Sequence, residues 1–299
     1  MISAAPFRDR VVHHALCNLI EPIFEKSFIF DSYANRLGKG NHKAIDRAQH
    51  FARRFKYVLT CDIRKYFPSI DHNILLHVVA RAVLSRPKQL PHSPGDCFVA
   101  PCATRNDMNI MWLVEKILQS GRGVLQEEYE MAYFKGDDLF AANRPRGLPI
   151  GNLTSQFWAN CYLNPFDHFV KRNLRCKGYV RYVDDFLLFS NDKSELNAWR
   201  ERIIAETAKY RLTLHEGKCQ PRSVNEGIPF LGFILFPDHR RLKKQKGIAF
   251  QRKYKTMRRA VREGKIAFDE LRASVQGWVN HVRYANTWHL RLSILSVIH

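Results

Sequence analysis

Between Tyr179 and Phe189 the chain reads Tyr-Val-Arg-Tyr-Val-Asp-Asp-Phe-Leu-Leu-Phe, two apolar, β-prone runs joined at a pair of carboxylates. This pattern predicts a β-hairpin with Asp184 and Asp185 at its tip, because aromatic and branched residues favour strands and Asp favours turns. Taken alone it has a plain reading, since acidic residues are common at exposed turns. A second stretch adds weight: Tyr57-Val58-Leu59-Thr60-Cys61-Asp62-Ile63 is another apolar run closing on a carboxylate, which places Asp62 at a strand end. Three carboxylates at strand ends can converge, and crowded anions raise one another's pKa unless cations neutralise them. Oxygen donors of this kind suit Mg²⁺, and two such ions can activate a hydroxyl and stabilise a departing phosphate.

Around these strands the chain alternates helical and extended patterns. Apolar residues at Val11, Val12, Ala15, Leu16, Leu19 and Ile20 predict a helix over about 8–26. A basic, glycine-rich loop follows over 35–41. Further helices are predicted from Asp71, over Asp107–Leu125, from Thr154 to about Arg175 and over Ser194–Tyr210, with Asp71 fitting a helix N-cap and left out of the metal site. Short strands are predicted at Leu212–Leu214 and around Phe230–Leu235, and the remainder reads as helical. Gly147-Leu148-Pro149-Ile150-Gly151 is a tight turn. The stretch from Arg86 to Cys102 holds Pro87, Pro91, Pro94, Gly95 and Pro101 and is expected to be an inserted surface loop.

The formal charge is +20, from 48 Lys and Arg against 28 Asp and Glu, which makes a polyanion the expected partner. From Asp238 to the end there are 15 Lys and Arg against 4 Asp and Glu, a net of 15 − 4 = +11. The early charges of the opening residues do not fit a secretory signal, and no stretch approaches the roughly 18 apolar residues of a membrane span, so a cytoplasmic protein with no membrane partner is expected. Seven scattered cysteines fit neither a disulfide framework nor a zinc site. Cys97 and Cys102 with His92 nearby form the one cluster worth testing for metal, although a loop rich in Pro and Gly brings such residues together by accident.

Tyr182-Val183-Asp184-Asp185 resembles the Tyr-x-Asp-Asp box of reverse transcriptases, and Cys61-Asp62-Ile63-Arg64-Lys65-Tyr66-Phe67 resembles their first catalytic block. Asp9-Arg10-Val11-Val12 and Ser32-Tyr33-Ala34-Asn35-Arg36 resemble upstream finger blocks, and Leu212 to Lys218 and Phe230-Leu231-Gly232-Phe233 resemble the blocks after the hairpin. The resemblance implies an α+β, right-hand polymerase: partial fingers over 1–56, a palm with an antiparallel sheet and finger insertions over 57–237 with helices on one face, and a basic helical thumb over 238–299. It implies two Mg²⁺ ions held by Asp62, Asp184, Asp185 and the Ile63 main chain. Ile63, Phe67, Ile150, Gly151, Gln156 and Arg36 would contact the nucleotide or template, with Phe67 as the steric gate against a ribose 2′-hydroxyl. Lys218 would protonate departing pyrophosphate, although a solvated lysine after a strand reads the same way.

The block from Leu148 to Gln156 carries Ile150 and Gln156 where most of the family resembles Gln-Gly-x-x-x-Ser-Pro. It resembles the enzymes of diversity-generating retroelements, which miscopy adenines of a template RNA. An aliphatic side chain in place of an amide removes a hydrogen-bonding group beside the incoming nucleotide and predicts low fidelity. Implied partners are a template RNA, the RNA–DNA hybrid, deoxynucleoside triphosphates and a small basic accessory protein. Lys243, Lys244, Lys246, Arg252, Lys253, Arg258 and Arg259 would track a nucleic-acid backbone, while Trp278 and Tyr284 pack or stack. Met1 stands where relatives end a Lys-x-Arg element that touches the triphosphate, so a truncated start is expected, with Lys39, Lys43 and Arg36 as substitutes. Two further readings are a group II intron or other bacterial reverse transcriptase and a catalytically idle RNA-binding scaffold.

Overall fold

The computed structural model describes residues 5–84, 105–138 and 140–296. The opening Met1 segment, the Arg86-to-Cys102 loop and the His92, Cys97 and Cys102 cluster lie outside the described residues. Four strands form the central sheet: β1 (Tyr57–Asp62), β2 (Gly178–Tyr182), β3 (Asp185–Ser190) and β4 (Pro221–Ser223), in the order β2-β3-β1-β4 and antiparallel throughout. The strands read as continuous apolar runs because both faces of the sheet are covered.

Side chains alternate across the sheet. Leu59, Cys61, Tyr179, Phe186 and Leu188 enter the larger core. They meet there α1 (Phe7–Glu25), α4 (His72–Leu84), α5 (Arg105–Ser120), α6 (Leu153–Tyr162) and α8 (Lys193–Lys209). The opposite set, Val58, Val180, Leu187 and Phe189, packs on α2 (Asn41–Ala52) and on a second sheet. That sheet consists of β5 (Ile228–Phe230), β6 (Phe233–Leu235) and β7 (Arg240–Leu242), again antiparallel. Helices therefore do not cover one face alone, as the sequence reading expects; the second face carries a helix and a sheet.

Three more predicted elements differ. Residues 154–175 do not form one helix: α6 stops at Tyr162, Asn164-Pro165 opens a short α7 (Asn164–His168), and a π-helical turn spans Phe169–Asn173. Proline lacks the amide hydrogen that a continuing helix would use, so the chain restarts there. Leu212–Leu214 is not a strand; Leu214 makes an isolated bridge to Ile63. The helix begun near Asp107 ends at Ser120 and gives way to turns before Leu125.

Past β7, α9 (Lys244–Arg262), α10 (Phe268–Val282) and α11 (Trp288–Leu295) share a small core of Phe250, Tyr254, Leu271 and Ile294. Trp278 lies flat on Phe250, with ring centroids 4.1 Å apart. Tyr284 stacks on His42 at 3.9 Å and donates to the Asp46 carboxylate at 2.7 Å. Both aromatics are thus packing residues, and Tyr284 ties this helical region to α2. Lys244, Lys246, Arg252, Lys253 and Arg259 stay exposed on α9. No described helix is long and apolar enough to cross a membrane.

Candidate active site

The antiparallel register places Asp62 directly opposite Asp185 across β1 and β3. By the strand alternation both project on the face that carries α2 and the second sheet. Directly opposed like charges destabilise a sheet, so this pair is kept for something other than stability. Asp184 sits beside them in the two-residue turn between Tyr182 and Asp185. Its neighbour Val183 has φ 56°. A β-branched residue in the left-handed region is strained by about 1–3 kcal/mol, and such strain survives only where surrounding contacts impose it.

Arg181 supplies those contacts. Its guanidinium, fully buried, donates to the Val183 carbonyl at 3.0 Å, to Asn160 Oδ1 at 3.0 Å and to Ser32 Oγ at 3.2 Å. It also forms a two-pronged pair with Asp167 at 2.8 and 2.6 Å. Asp167 accepts a further bond from the Tyr179 hydroxyl at 2.7 Å. A buried charge requires this degree of satisfaction, and the same atoms that satisfy it fasten the acidic turn to α6 and α7. This anchor is absent from the sequence reading. The signal was a lone arginine in an otherwise apolar strand two residues before the turn; what the sequence withholds is the partner, Asp167, on a different element.

Burial, followed by the nearby Asp62 charge, pushes the Asp184 carboxyl up to about 6. Burial, followed by Asp184 and Asp62, does the same for Asp185, with Lys243 and Lys218 opposing. Two nitrogen-bearing side chains address Asp62: Lys218 Nζ lies 2.9 Å from Oδ2 and His215 Nε2 lies 3.8 Å from it. Hydrogen bonds from the His215 amide to the Asp62 carbonyl (2.9 Å) and from the Arg64 amide to the Thr213 carbonyl (2.8 Å) bring this loop to the end of β1. Among the described residues no three His, Cys, Asp or Glu side chains are already closed around a position for an ion. The three carboxylates gather at one end of the two central strands, and a donor set of carboxylate oxygens has the chemistry a hard cation takes.

Ile63 is buried directly after Asp62, and Phe67 is half-buried, its ring 5.7 Å from that of Tyr66. The Phe67 carbonyl accepts from the Leu148 amide at 3.0 Å, and Gly147 donates to the Ile70 carbonyl at 2.9 Å. The glycine turn is thereby stitched to the segment that follows Asp62, and Ile150 and Gly151 follow from it, half-buried and exposed respectively. Gly151 has φ +127°, a conformation that side chains disfavour. Gln156 is exposed on α6, its carbonyl accepting from Asn35 at 3.4 Å. Asp71 caps α4, its carboxylate accepting from the amides of Asn73 and Ile74 at 2.9 and 3.1 Å.

The Arg36 guanidinium is held by Glu25 at 2.9 Å and by the carbonyls of Ile29 and Ser32 at 2.7 and 2.9 Å, and its side chain is 7% exposed. Lys39 donates to the Phe30 carbonyl at 2.8 Å, and Lys43 to that of Gly38.

Protein YkfC of Escherichia coli (strain K12) is 25% identical over 268 residues, covering 76% of this chain and 61% of its own. The COX1/OXI3 intron 2 protein of Saccharomyces cerevisiae is 20% identical over 164 residues, 55% of this chain and 15% of its own. The chain thus spans about three fifths and one seventh of these relatives. Among solved structures, apo telomerase from Candida tropicalis aligns with 80% of this chain and 40% of its own at 14% identity and a TM-score of 0.49. The profile described as reverse transcriptase (RNA-dependent DNA polymerase) matches residues 1–235, and the chain belongs to that family.

Proposed function

We propose that this chain is the polymerase core of an RNA-directed DNA polymerase that extends a primer on an RNA template by two-metal nucleotidyl transfer. The observation that carries the reading is the Asp62–Asp185 register with Asp184 beside it, three carboxylates at one end of the central strands, two of them with pKa values raised to about 6. Asp62, Asp184 and Asp185, with the Ile63 carbonyl, would hold the ions; two Mg²⁺, when bound, supply Lewis acidity toward the primer 3′-hydroxyl and the leaving pyrophosphate. Arg181 keeps the acidic turn in its strained form. Lys218, which meets Asp62 at 2.9 Å, would give a proton to pyrophosphate. Phe67, joined to the Leu148 amide, presents its ring as the gate against ribonucleotides, and Ile150, Gly151 and Gln156 border the nucleotide and template.

In this reading residues 1–56 are partial fingers, 57–237 the palm and 238–299 a thumb whose exposed α9 cations follow the template–primer backbone. The pairing of Ile150 with Gln156 supports the diversity-generating type, with miscopying at adenines and a small basic accessory protein. Similarity to an intron-encoded yeast protein favours a second reading, an intron-type enzyme of ordinary fidelity.

The test is DNA synthesis on a primed RNA template with Mg²⁺, comparing the chain with Asp184→Ala/Asp185→Ala. Synthesis that disappears in the variant supports the polymerase; synthesis that persists in it refutes the site. Sequencing the products of the chain and of Ile150→Gln then separates the two types, since an adenine-biased error spectrum unaltered by Ile150→Gln contradicts the role given to that residue.

A further inference from the structure

A cavity lies on the far side of the central sheet from the carboxylates. It is a groove of about 780 Å³ between α4, the α7 and π-helical segment, and the end of α8. Its walls repeat one arrangement: His77 and Arg81 one turn apart on α4 face His168 and Arg172 one turn apart on the opposite helix, with Lys209 at one end. Among the described residues the guanidinium groups of Arg81 and Arg172 have no hydrogen bond or ion pair, and both are exposed. The single carboxylate in the lining, Glu206, is held by Lys209 at 2.7 Å. Phe169 and Tyr210, both half-buried, give the groove aromatic surface. Asn164 lies in the lining, 8% exposed; its amide nitrogen donates to Ser27 and its Oδ1 has no donor in the protein. The wall carrying Arg172 is the π-helical turn, a conformation that helices adopt chiefly at functional positions.

None of this is used by the polymerase reading, in which the template–primer lies against the other face of the sheet. Unpaired arginines lining a slot that also presents the Tyr210 ring match the demands of a single-stranded nucleotide: phosphates for the guanidinium groups and a base to stack on Tyr210. A slot of this volume fits splayed-out bases rather than a duplex.

We infer that this groove is a second RNA site, which takes a single-stranded, looped segment of RNA while the polymerase site is occupied. The inference rests on the polymerase reading only in naming the first site. The partner is an RNA because the chain carries a formal charge of +20, its proposed template is an RNA, and these arginines lie exposed on a face that the polymerase reading leaves unused.

The test uses the full chain saturated with an unlabelled RNA–DNA template–primer, to which a fluorescent, unstructured RNA oligonucleotide is titrated by anisotropy. Arg81→Ser/Arg172→Ser is expected to weaken this second binding tenfold or more and to lower its salt dependence by a slope of about 1.4, the loss of two single-strand phosphate contacts. Primer extension by the same variant should keep its kcat and its KM for nucleotide, which also shows that it folds; Arg172→Ser alone, on an exposed side chain, should weaken binding at least threefold. Lys56→Ser/Lys193→Ser removes equal charge at the opposite end of the strands and should leave binding unchanged. Second binding that survives Arg81→Ser/Arg172→Ser, or falls equally in the Lys56/Lys193 variant, overturns the groove and leaves the polymerase reading standing. Failure of wild-type extension with oligonucleotide binding still lost in the arginine variant overturns the polymerase reading and leaves the groove standing.

Discussion

Replacing Asp184 with Asn should make the metal-free protein more stable at neutral pH. The Asp184 carboxyl is raised from 3.8 to about 6 by burial and by Asp62. A folded-state pKa above the unfolded value means that the contribution to stability is fully present below pH 3.8 and is lost as pH rises through about 6. At pH 7.5 the ionised group therefore costs about 3 kcal/mol, from roughly two units at 1.36 kcal/mol each. Asp185 titrates together with it, so the two costs do not add, and the recoverable share is about 1–3 kcal/mol. Urea unfolding followed by tryptophan fluorescence in EDTA should show Asp184→Asn unfolding at higher urea at pH 7.5. The gain should shrink toward zero by pH 4, where both side chains are neutral. A variant no more stable than wild type at pH 7.5, or a gain that persists unchanged at pH 4, refutes the argument that the site stores unfavourable charge.

The same shifts predict that protons compete with Mg²⁺: below pH about 6 the Mg²⁺ concentration for half-maximal synthesis should rise about tenfold per pH unit for each proton displaced, as read in primer extension. Arg181→Met leaves Asp167 buried without a countercharge and should cost about 3–5 kcal/mol in urea unfolding, part of which the double variant with Asp167→Asn restores. Gly178→Ala puts a methyl 2.8 Å from the Phe189 Cβ and should destabilise by about 1–3 kcal/mol in the same assay. Phe67→Ala should reduce discrimination against ribonucleotides on the order of 10- to 100-fold, measured as the ratio of kcat/KM values for matched nucleotides.

The strands that carry the carboxylates were legible because burial on both faces leaves a long apolar signal, and the turn was legible because Asp interrupts it. Strands β4 and β7 were not: Pro221 opens one and Arg240-Arg241 fills the other, residues that argue against a strand when read alone. The extended helix over 154–175 failed at Pro165, where its local apolar pattern outweighed the breaker in the reading. Of the site, the residue types were visible but their pairings were not. Lys218 meets Asp62 across 156 positions of sequence, and Arg36 turns inward because Glu25, one helix earlier, is there to receive it.

The pairing of Asp62 with Asp185 also sets what variation this chain tolerates. Side chains of a strand alternate with a period of two, so one residue inserted into β1 between Val58 and Asp62 would either send the carboxylate into the helical core or expel Leu59 and Cys61 from it. Loops around the sheet can lengthen freely, since loop closure grows costly only slowly with length. The count of residues in β1 and β3 cannot change. Libraries built on this scaffold should therefore place insertions in the connections and hold the two strands at fixed length, because the spacing of the carboxylates is written in the counting of residues as well as in their identity.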